Sequence, residues 1–511
     1  MVMEGSKQLI KKNLIISNFV IFALFILISK ALGFLRSIFI AKSIGTSNFS
    51  DAYLQVFGVS TLLFTSIGIA LSSVSIPIFT QYLTQESEED RKEYISNLFS
   101  QVTLITSIIT VIGIMFAPWI TKLILPGISG EAYNLSISLT RIMFPTLIFI
   151  CLAYIVSGVL QVHKHFVITS LISIPFNLII ILFLIIYEDN IIYLGYVTAA
   201  GWLLQLLVQL PILFKEKYKL SFHIDFTNKH IRQIYANLVP ILLGNAVLQL
   251  CVITDRAIVN SINEGYTSAL SYGSEFFMTV TSIFIVAIST VAFPDISKYC
   301  IEKDFEKVRK LVGYIIKVLL LITIPYLVVV SFYSNEIITL IYKRGAFTYE
   351  SARLTSLAFL LYSFCVVGYM AQEVFNRVYY ALKKYYPPML IGAICILLNV
   401  IIDLLVYKSF GIVGIVGSTA ICFLIYTLLM NYFVGKEIGN FLDKETFIHF
   451  CRVLVGAVGM LAVFLLFKFL NLSGMFKSFI LPLLIGGGVY ILLAYCTKTL
   501  EVIFRGEREL L

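Results

Sequence analysis

Residues 139–161 read LTRIMFPTLIFICLAYIVSGVLQ, with Arg141 as the one charged side chain in the run. A helix rises 1.5 Å per residue, so about 20 apolar residues cross a hydrocarbon core of ~30 Å. A single run of this kind also fits a buried helix in a soluble protein. Here such runs recur along the whole chain, and no water-compatible surface would remain if all of them were packed inward. Composition agrees: of 511 residues, 59% are hydrophobic and 13% charged, with a mean hydropathy of +0.93. Soluble domains carry about 25% charged residues.

About fourteen spans are expected, with approximate limits 14–44, 51–82, 94–125, 132–162, 166–187, 191–214, 234–262, 266–298, 307–333, 350–382, 387–407, 411–434, 447–470 and 476–497. The fold class is an all-α polytopic membrane protein. The basic start is followed by an apolar segment longer than a signal-peptide core, so it is read as the first span rather than a cleaved leader.

The net charge of +9 does not point to nucleic acid, because the cations sit in short loops as the positive-inside bias requires. Lys7, Lys11, Lys12, Arg91, Lys92, Lys164, Lys215, Lys217, Lys219, Lys229, Arg232, Lys298, Lys303, Lys307, Arg309 and Lys310 fall on one side; Lys343, Arg344, Lys408 and Lys477 fall on the other. With the amino terminus inside, both termini are expected to be cytoplasmic, in a bacterial plasma membrane. Eight scattered cysteines without a CxxC pair suit small core residues, not a disulfide framework or a zinc site.

The chain repeats itself. SVSIPIFTQYLTQESEEDRKEY, from Ser73, parallels TVAFPDISKYCIEKDFEKVRKL, from Thr290, aligning Pro77 with Pro294 and Tyr82 with Tyr299. Leu139 parallels Leu354 and Asn177 parallels Asn399, at an offset of about 217 residues. Six helices separate the copies, an even number, so the repeats are parallel. The expected organisation is an amino-terminal lobe over 1–222, a second six-helix lobe over 223–440, and two further helices with a tail over 441–511. A substrate cavity between such lobes lies near the midplane.

Charges at bilayer depth cost at least a few kcal/mol and so face a cavity or a partner. Lys30, Arg36, Asp51 and Arg141 lie in the first repeat, and Arg256 and Glu275 in the second. The cations suit a phosphate-bearing substrate, for which Arg offers bidentate contacts; snorkelling to an interface is the competing role. Asp255, Asn399, Asp403 and Thr419 form an oxygen-donor set. Asn399 and Asp403, at i and i+4, share a helix face. Such a set suits a small hard cation such as sodium, or else an interhelical packing network. No phosphate-binding loop and no HExxH cluster is present, so neither ATP-driven transport nor an enzyme is expected.

The run ISKALGFLRSIFIAKSIGTSNFSDAY (28–53) resembles the first-helix signature of the bacterial lipid II flippases, the MurJ or MviN family of the multidrug and polysaccharide exporter superfamily. LPGISGEAYNLSISLTRIMFP, VITDRAIVNSINEGYTSALSYGSEF, YKRGAFTYESARLTSLAFLLYSF and NRVYYALKKYYPP extend the resemblance along nearly the whole chain. It implies a fourteen-helix fold, alternating access, and a cationic cavity for the pyrophosphate and sugars of a lipid-linked oligosaccharide, with the polyprenyl tail in lipid or a groove. By motif match it places Arg36 and Asp51 in that cavity, with Lys30 where Arg is common. It puts Asp255, Asn399, Asp403 and Thr419 at sodium-ligand positions, which makes Na+ the candidate coupling ion. Membrane lipids and envelope-synthesis proteins are the further partners. Phe64 and Glu275 stand where the family carries arginines. A flippase for another undecaprenyl-linked glycan (a capsule or exopolysaccharide unit) is the alternative, followed by a drug or cation antiporter and a non-transporting scaffold.

Overall fold

A computed structural model describes residue 25 and residues 27–187, 190–245, 247–291, 293–470 and 474–502. The amino-terminal lysines, the start of the first span and the end of the carboxyl tail lie outside them. The described chain is helical. The first helix, α1, covers 27–44. It is followed by α2 (Asn48–Gly58), a π-helical turn (Val59–Phe64), α3 (Thr65–Gln85), α4 (Glu88–Met115), α5 (Ala117–Ile124), α6 (Gly130–Met143) and α7 (Thr146–Val162). Next come α8 (Phe166–Ser170), α9 (Ile174–Ile186), α10 (Ile191–Leu207), α11 (Leu210–Lys215), α12 (Lys229–Asn245), α13 (Val247–Val259), α14 (Tyr266–Val291) and α15 (Phe293–Ile301). The chain ends with α16 (Phe305–Tyr342), α17 (Tyr349–Ser363), α18 (Val366–Ala381), α19 (Tyr386–Ile438), α20 (Lys444–Leu470) and α21 (Leu481–Cys496).

Helices are the outcome because a backbone in hydrocarbon must satisfy its own hydrogen bonds. Their starts are written locally. Ser47 and Ser50 form a capping box on α2. Ser87 caps α4 ahead of Glu88, Glu89 and Asp90, whose charges suit a helix N-terminus. Asp304 accepts from the Lys307 N–H at the start of α16, and Asp443 accepts from the Thr446 N–H at the start of α20.

Among the described residues, eight helices are long and apolar enough to span a bilayer, or nine if the bent pair α17–α18 counts as one span. The count falls below fourteen partly because α19, 53 residues long, joins two helices that meet at a kink. At 1.5 Å per residue it is far longer than one bilayer. Gly411, at φ 54° and ψ −136°, leaves helical geometry in its interior. The two expected spans, 387–407 and 411–434, meet there. Glycine tolerates this conformation because it has no Cβ.

The repeat is visible in the backbone breaks. The long α4 ends at Phe116 (φ −90°, ψ 10°) and continues as α5. In α16 the corresponding interruption is Tyr333 (φ −124°, ψ 16°). α6 and α7 are separated at Phe144 and Pro145, as α17 and α18 are at Phe364 and Cys365.

By internal contacts the chain divides into two compact units, Met1–Ser271 with Arg344–Thr348, and Tyr272–Lys343 with Tyr349–Leu511. In the first, small residues allow close helix approach. A Cβ on Gly158 of α7 would sit 3.0 Å from Ser72 Oγ of α3, and one on Gly201 of α10 would sit 2.7 Å from Phe176 of α9. In the second, α20, α21 and the π-helical turn before it (Phe476–Ile480) close on α16 through Tyr333, Phe464, Phe479 and Tyr490. Tyr490 donates its hydroxyl to the Leu321 carbonyl over 2.6 Å.

Candidate functional site

Arg36 is brought into a specific site by α1. It is 7% exposed. Its Nη1 donates to Asn177 Oδ1 on α9 at 2.9 Å. Its guanidinium carbon lies 4.9 Å from the centre of the Phe57 ring and 5.2 Å from that of Phe176. A guanidinium desolvates more readily than an ammonium and is attracted to aromatic faces, so this cage holds a permanent cation inside the first unit. Ser29 ties α1 to α8, just ahead of α9, by donating to the Ser170 carbonyl at 3.0 Å. Lys30 sits on the exposed face of α1, and Arg141 on the exposed face of α6.

Asp51 is fully buried. Its two carboxylate oxygens accept the backbone N–H groups of Gly265 at 2.8 Å and Ser268 at 2.6 Å. It therefore caps the start of α14 from a different helix, which suits the positive end of the helix dipole. Gly265 reaches φ +76° in that turn. Arg256 is 5% exposed, with Nη2 3.5 Å from the Ser271 carbonyl. A Cβ on Gly58 would lie 2.7 Å from its Nη1, so the missing side chain at Gly58 gives the guanidinium its place against α2.

Phe64 is buried and meets Phe144 edge-on at 5.5 Å. An apolar contact fills this position. Glu275 is half-buried on α14, within the second unit.

In the second unit, Asn399, Asp403 and Thr419 are all fully buried and come together across the Gly411 bend. The Asn399 amide donates to Ser418 Oγ at 3.1 Å and to Thr419 Oγ1 at 3.0 Å, and Ser418 donates to the Asp403 carboxylate. Asp255 is fully buried on α13 of the first unit. Ser418 and Asn177 were not among the sequence candidates. Ser418 adjoins Thr419, and Asn177 is the repeat partner of Asn399, so both carried a signal.

A third polar cluster joins the turn after α7 to the residues that follow α11. His165 Nε2 and Glu216 Oε1 are 2.7 Å apart, and His163 Nε2 and the Tyr218 hydroxyl are 2.9 Å apart. Burial holds His163 below the usual imidazole range, against the pull of Glu216. The hydrogen bond with His165 holds the Glu216 carboxyl below its usual range. Burial pushes the Tyr218 hydroxyl up to about 12. From here, residues 219–225 run along α4. The Asp225 N–H donates to Asn97 Oδ1 at 2.8 Å, and Gln101 Nε2 donates to the Asp225 carbonyl at 2.7 Å.

A helical chain of repeated bundles with arginine and carboxylates buried among its spans has the architecture of a multi-pass membrane transporter. The lipid II flippase MurJ family model matches residues 40–485, and the chain belongs to that family. A probable lipid II flippase MurJ of Treponema pallidum is 30% identical over 85% of this chain and 83% of its own length. The lipid II flippase MurJ of Burkholderia cenocepacia is 24% identical over 86% and 87%. Among solved structures, a lipid II flippase MurJ in an inward closed conformation is similar at a TM-score of 0.78, with 23% identity, over 96% of this chain and 99% of the other. An inward-facing multidrug resistance MATE transporter of the MOP superfamily shares the fold at a TM-score of 0.64 and 13% identity, over 80% and 95%.

Proposed function

We propose that this protein translocates lipid II, the undecaprenyl-pyrophosphate-linked precursor of peptidoglycan, across the plasma membrane by alternating access. The observation that carries the reading is the family match across both repeats, residues 40–485. The buried Arg36 supports it chemically: a caged guanidinium in a low-dielectric site pairs with a pyrophosphate oxygen far more strongly than one in water. An apolar groove of about 440 Å³ in the second unit, walled by Leu320, Ile324, Phe450 and Leu454, suits a polyprenyl chain. In this reading the amino terminus is cytoplasmic, as the loop lysines and arginines favour.

Sodium is the proposed coupling ion. Asp403, Ser418, Thr419 and Asn399 offer oxygen donors on one buried surface, which fits a hard cation. The Asn399 amide points its nitrogen at the two hydroxyls, and a 180° turn of that amide would present Oδ1 instead. A bound cation would replace the Ser418–Asp403 contact and tie the two halves of α19 across Gly411.

Complementation of a strain depleted of its lipid II flippase tests the function. Growth restored by the wild-type chain and lost with Arg36→Ala is the expected result. No rescue by a wild-type chain that reaches the membrane, with rescue of a capsule-flippase mutant instead, would reassign the glycan.

A further inference from the structure

Beyond the substrate site, we propose that the second unit carries a cation route. Its mouth is the Glu373–Arg377 pair on α18, and Gln372, Asn376 and Tyr426 lead from there to the oxygen donors around Asp403. The inference rests on the sodium reading given above and adds the residues by which the ion reaches and leaves that site.

Glu373 and Arg377 sit where charges are costly. α18 ends at Ala381, so at 1.5 Å per residue Glu373 lies roughly 12 Å inside the helix end and Arg377 roughly 6 Å. Arg377 can extend along the helix to reach an interface, but the shorter Glu373 cannot. The two pair at 3.3 Å, with the Arg377 side chain 21% exposed and that of Glu373 23%. Beside them Gln372, Val374, Phe375 and Asn376 are buried. One narrow side of α18 is thus open at a carboxylate.

That side adjoins a file of buried polar groups. Gly368, Gln372 and Asn376 share a face of α18 at i, i+4 and i+8. A Cβ on Gly368 would sit 2.9 Å from Phe423 Cβ of α19, and Asn376 Oδ1 accepts from the Tyr426 hydroxyl at 2.8 Å. Gln372, between these contacts, is buried, and its Oε1 has no hydrogen-bond partner among the described residues. Such an oxygen is costly to bury unless water or a cation meets it. Glu373 and Cys395 both lie within electrostatic reach of the Tyr426 hydroxyl. On α19, Thr419, Cys422 and Tyr426 form one buried row after the Gly411 bend, and Cys395, Asn399 and Asp403 form another before it. The Asn399–Thr419 hydrogen bond joins the rows at one end, and Tyr426 with Cys395 closes them at the other.

The donor types separate holding from passing. Carboxylate, amide and hydroxyl oxygens hold a hard cation, and thiols do not. Cys395 and Cys422 therefore mark a stretch between mouth and site where the ion does not rest. A pair that only packed α18 would leave the Gln372 oxygen unexplained.

Silver ion is the probe. It is a small monovalent cation, and it bonds thiol sulfur with release of a proton, so Cys395 and Cys422 report its passage. The full chain is exposed to silver nitrate in neutral detergent for timed intervals. The thiols that remain are alkylated after unfolding and counted by peptide mass spectrometry. Cys395 and Cys422 should react much faster than Cys151, which is as deeply buried in the first unit. Sodium nitrate should protect both, and choline nitrate at equal ionic strength should not. Glu373→Gln should slow the reaction at Cys395 about ten-fold and Arg377→Gln should speed it by a similar factor, the effect of one charge at ~10 Å with an effective dielectric constant of about 20. Gln372→Leu, with both charges in place, should slow it as well. The two charge variants break the same ion pair, so loosened packing would move them in one direction. Shifts of the same sign, no shift, or Cys151 labelled as fast as Cys395 overturns the route. The opposite shifts without sodium protection keep the route and remove sodium as its ion.

Discussion

Arg36 on α1 and Asn177 on α9 are joined by a 2.9 Å hydrogen bond inside a cage of Phe57 and Phe176. The amide orients a guanidinium that the rings keep from water. Arg36→Ala should lower transport roughly ten- to hundred-fold, the loss of one charge-assisted contact or more. Arg36→Lys should recover part of that, since an ammonium keeps the charge but not the planar fork. Complementation together with a membrane-expression blot measures both. Full activity of Arg36→Ala would mean that the cation only packs α1 against α9.

Asp51 is expected to behave as a capping residue, whatever else it does. Asp51→Ala removes the acceptor for two buried backbone N–H groups at the start of α14 and should cost about 1–3 kcal/mol. Asp51→Asn should cost less, because one oxygen remains to accept. Thermal unfolding in detergent gives the order wild type, Asn, Ala. An Ala variant with an unchanged midpoint and no transport would move Asp51 from capping to substrate contact.

Distance along the chain separates the features legible in the sequence from those that only the fold reveals. Spans and the repeat are local patterns, and the backbone interruptions at Phe116 and Tyr333 fall where the repeat offset puts them. Asn399 and Asp403 were legible as a pair because i and i+4 share a face. Asp51 was legible as a buried acid, but its capping partners lie 214 and 217 residues away, and only the fold joins them. The same holds for Arg36 and Asn177, 141 residues apart. The bend at Gly411 falls where the sequence already divides 387–407 from 411–434, although one helical run covers Tyr386–Ile438.

The cluster at His163 predicts a pH response. Burial lowers the folded-state pKa of His163, so the unfolded chain binds its proton more readily. Stability from this group is therefore complete above the unfolded imidazole value near 6.5 and falls as pH drops through the folded one. Glu216, Tyr218, His165 and Arg91 surround it; the Glu216 carboxyl, itself held low by the hydrogen bond with His165, stays charged over that range. The unfolding midpoint should decline from pH 7.5 to 5.5, and His163→Gln, which still bonds Tyr218 but does not titrate, should flatten the decline. A slope identical in the variant would assign the response to another group.

Sodium should act on the second unit and leave the first untouched. Asp403 and Asn399 occupy one face of α19 before the Gly411 bend, with Ser418 and Thr419 after it. The Ser418 hydroxyl donates to the Asp403 carboxylate across the bend, a contact that a bound cation would replace. With one, a direct ionic contact spans it, and the folded state gains RT ln(1 + [Na+]/Kd), about 1.4 kcal/mol at ten times Kd. The same ion biases transport only as far as its affinity differs between the two access states. The midpoint should therefore rise with sodium chloride and not with choline chloride at equal ionic strength. Asp403→Ala should abolish the difference, and Arg36→Ala should preserve it. Equal stabilisation by both salts would leave Asn399, Asp403, Ser418 and Thr419 as a packing network that pins the bend.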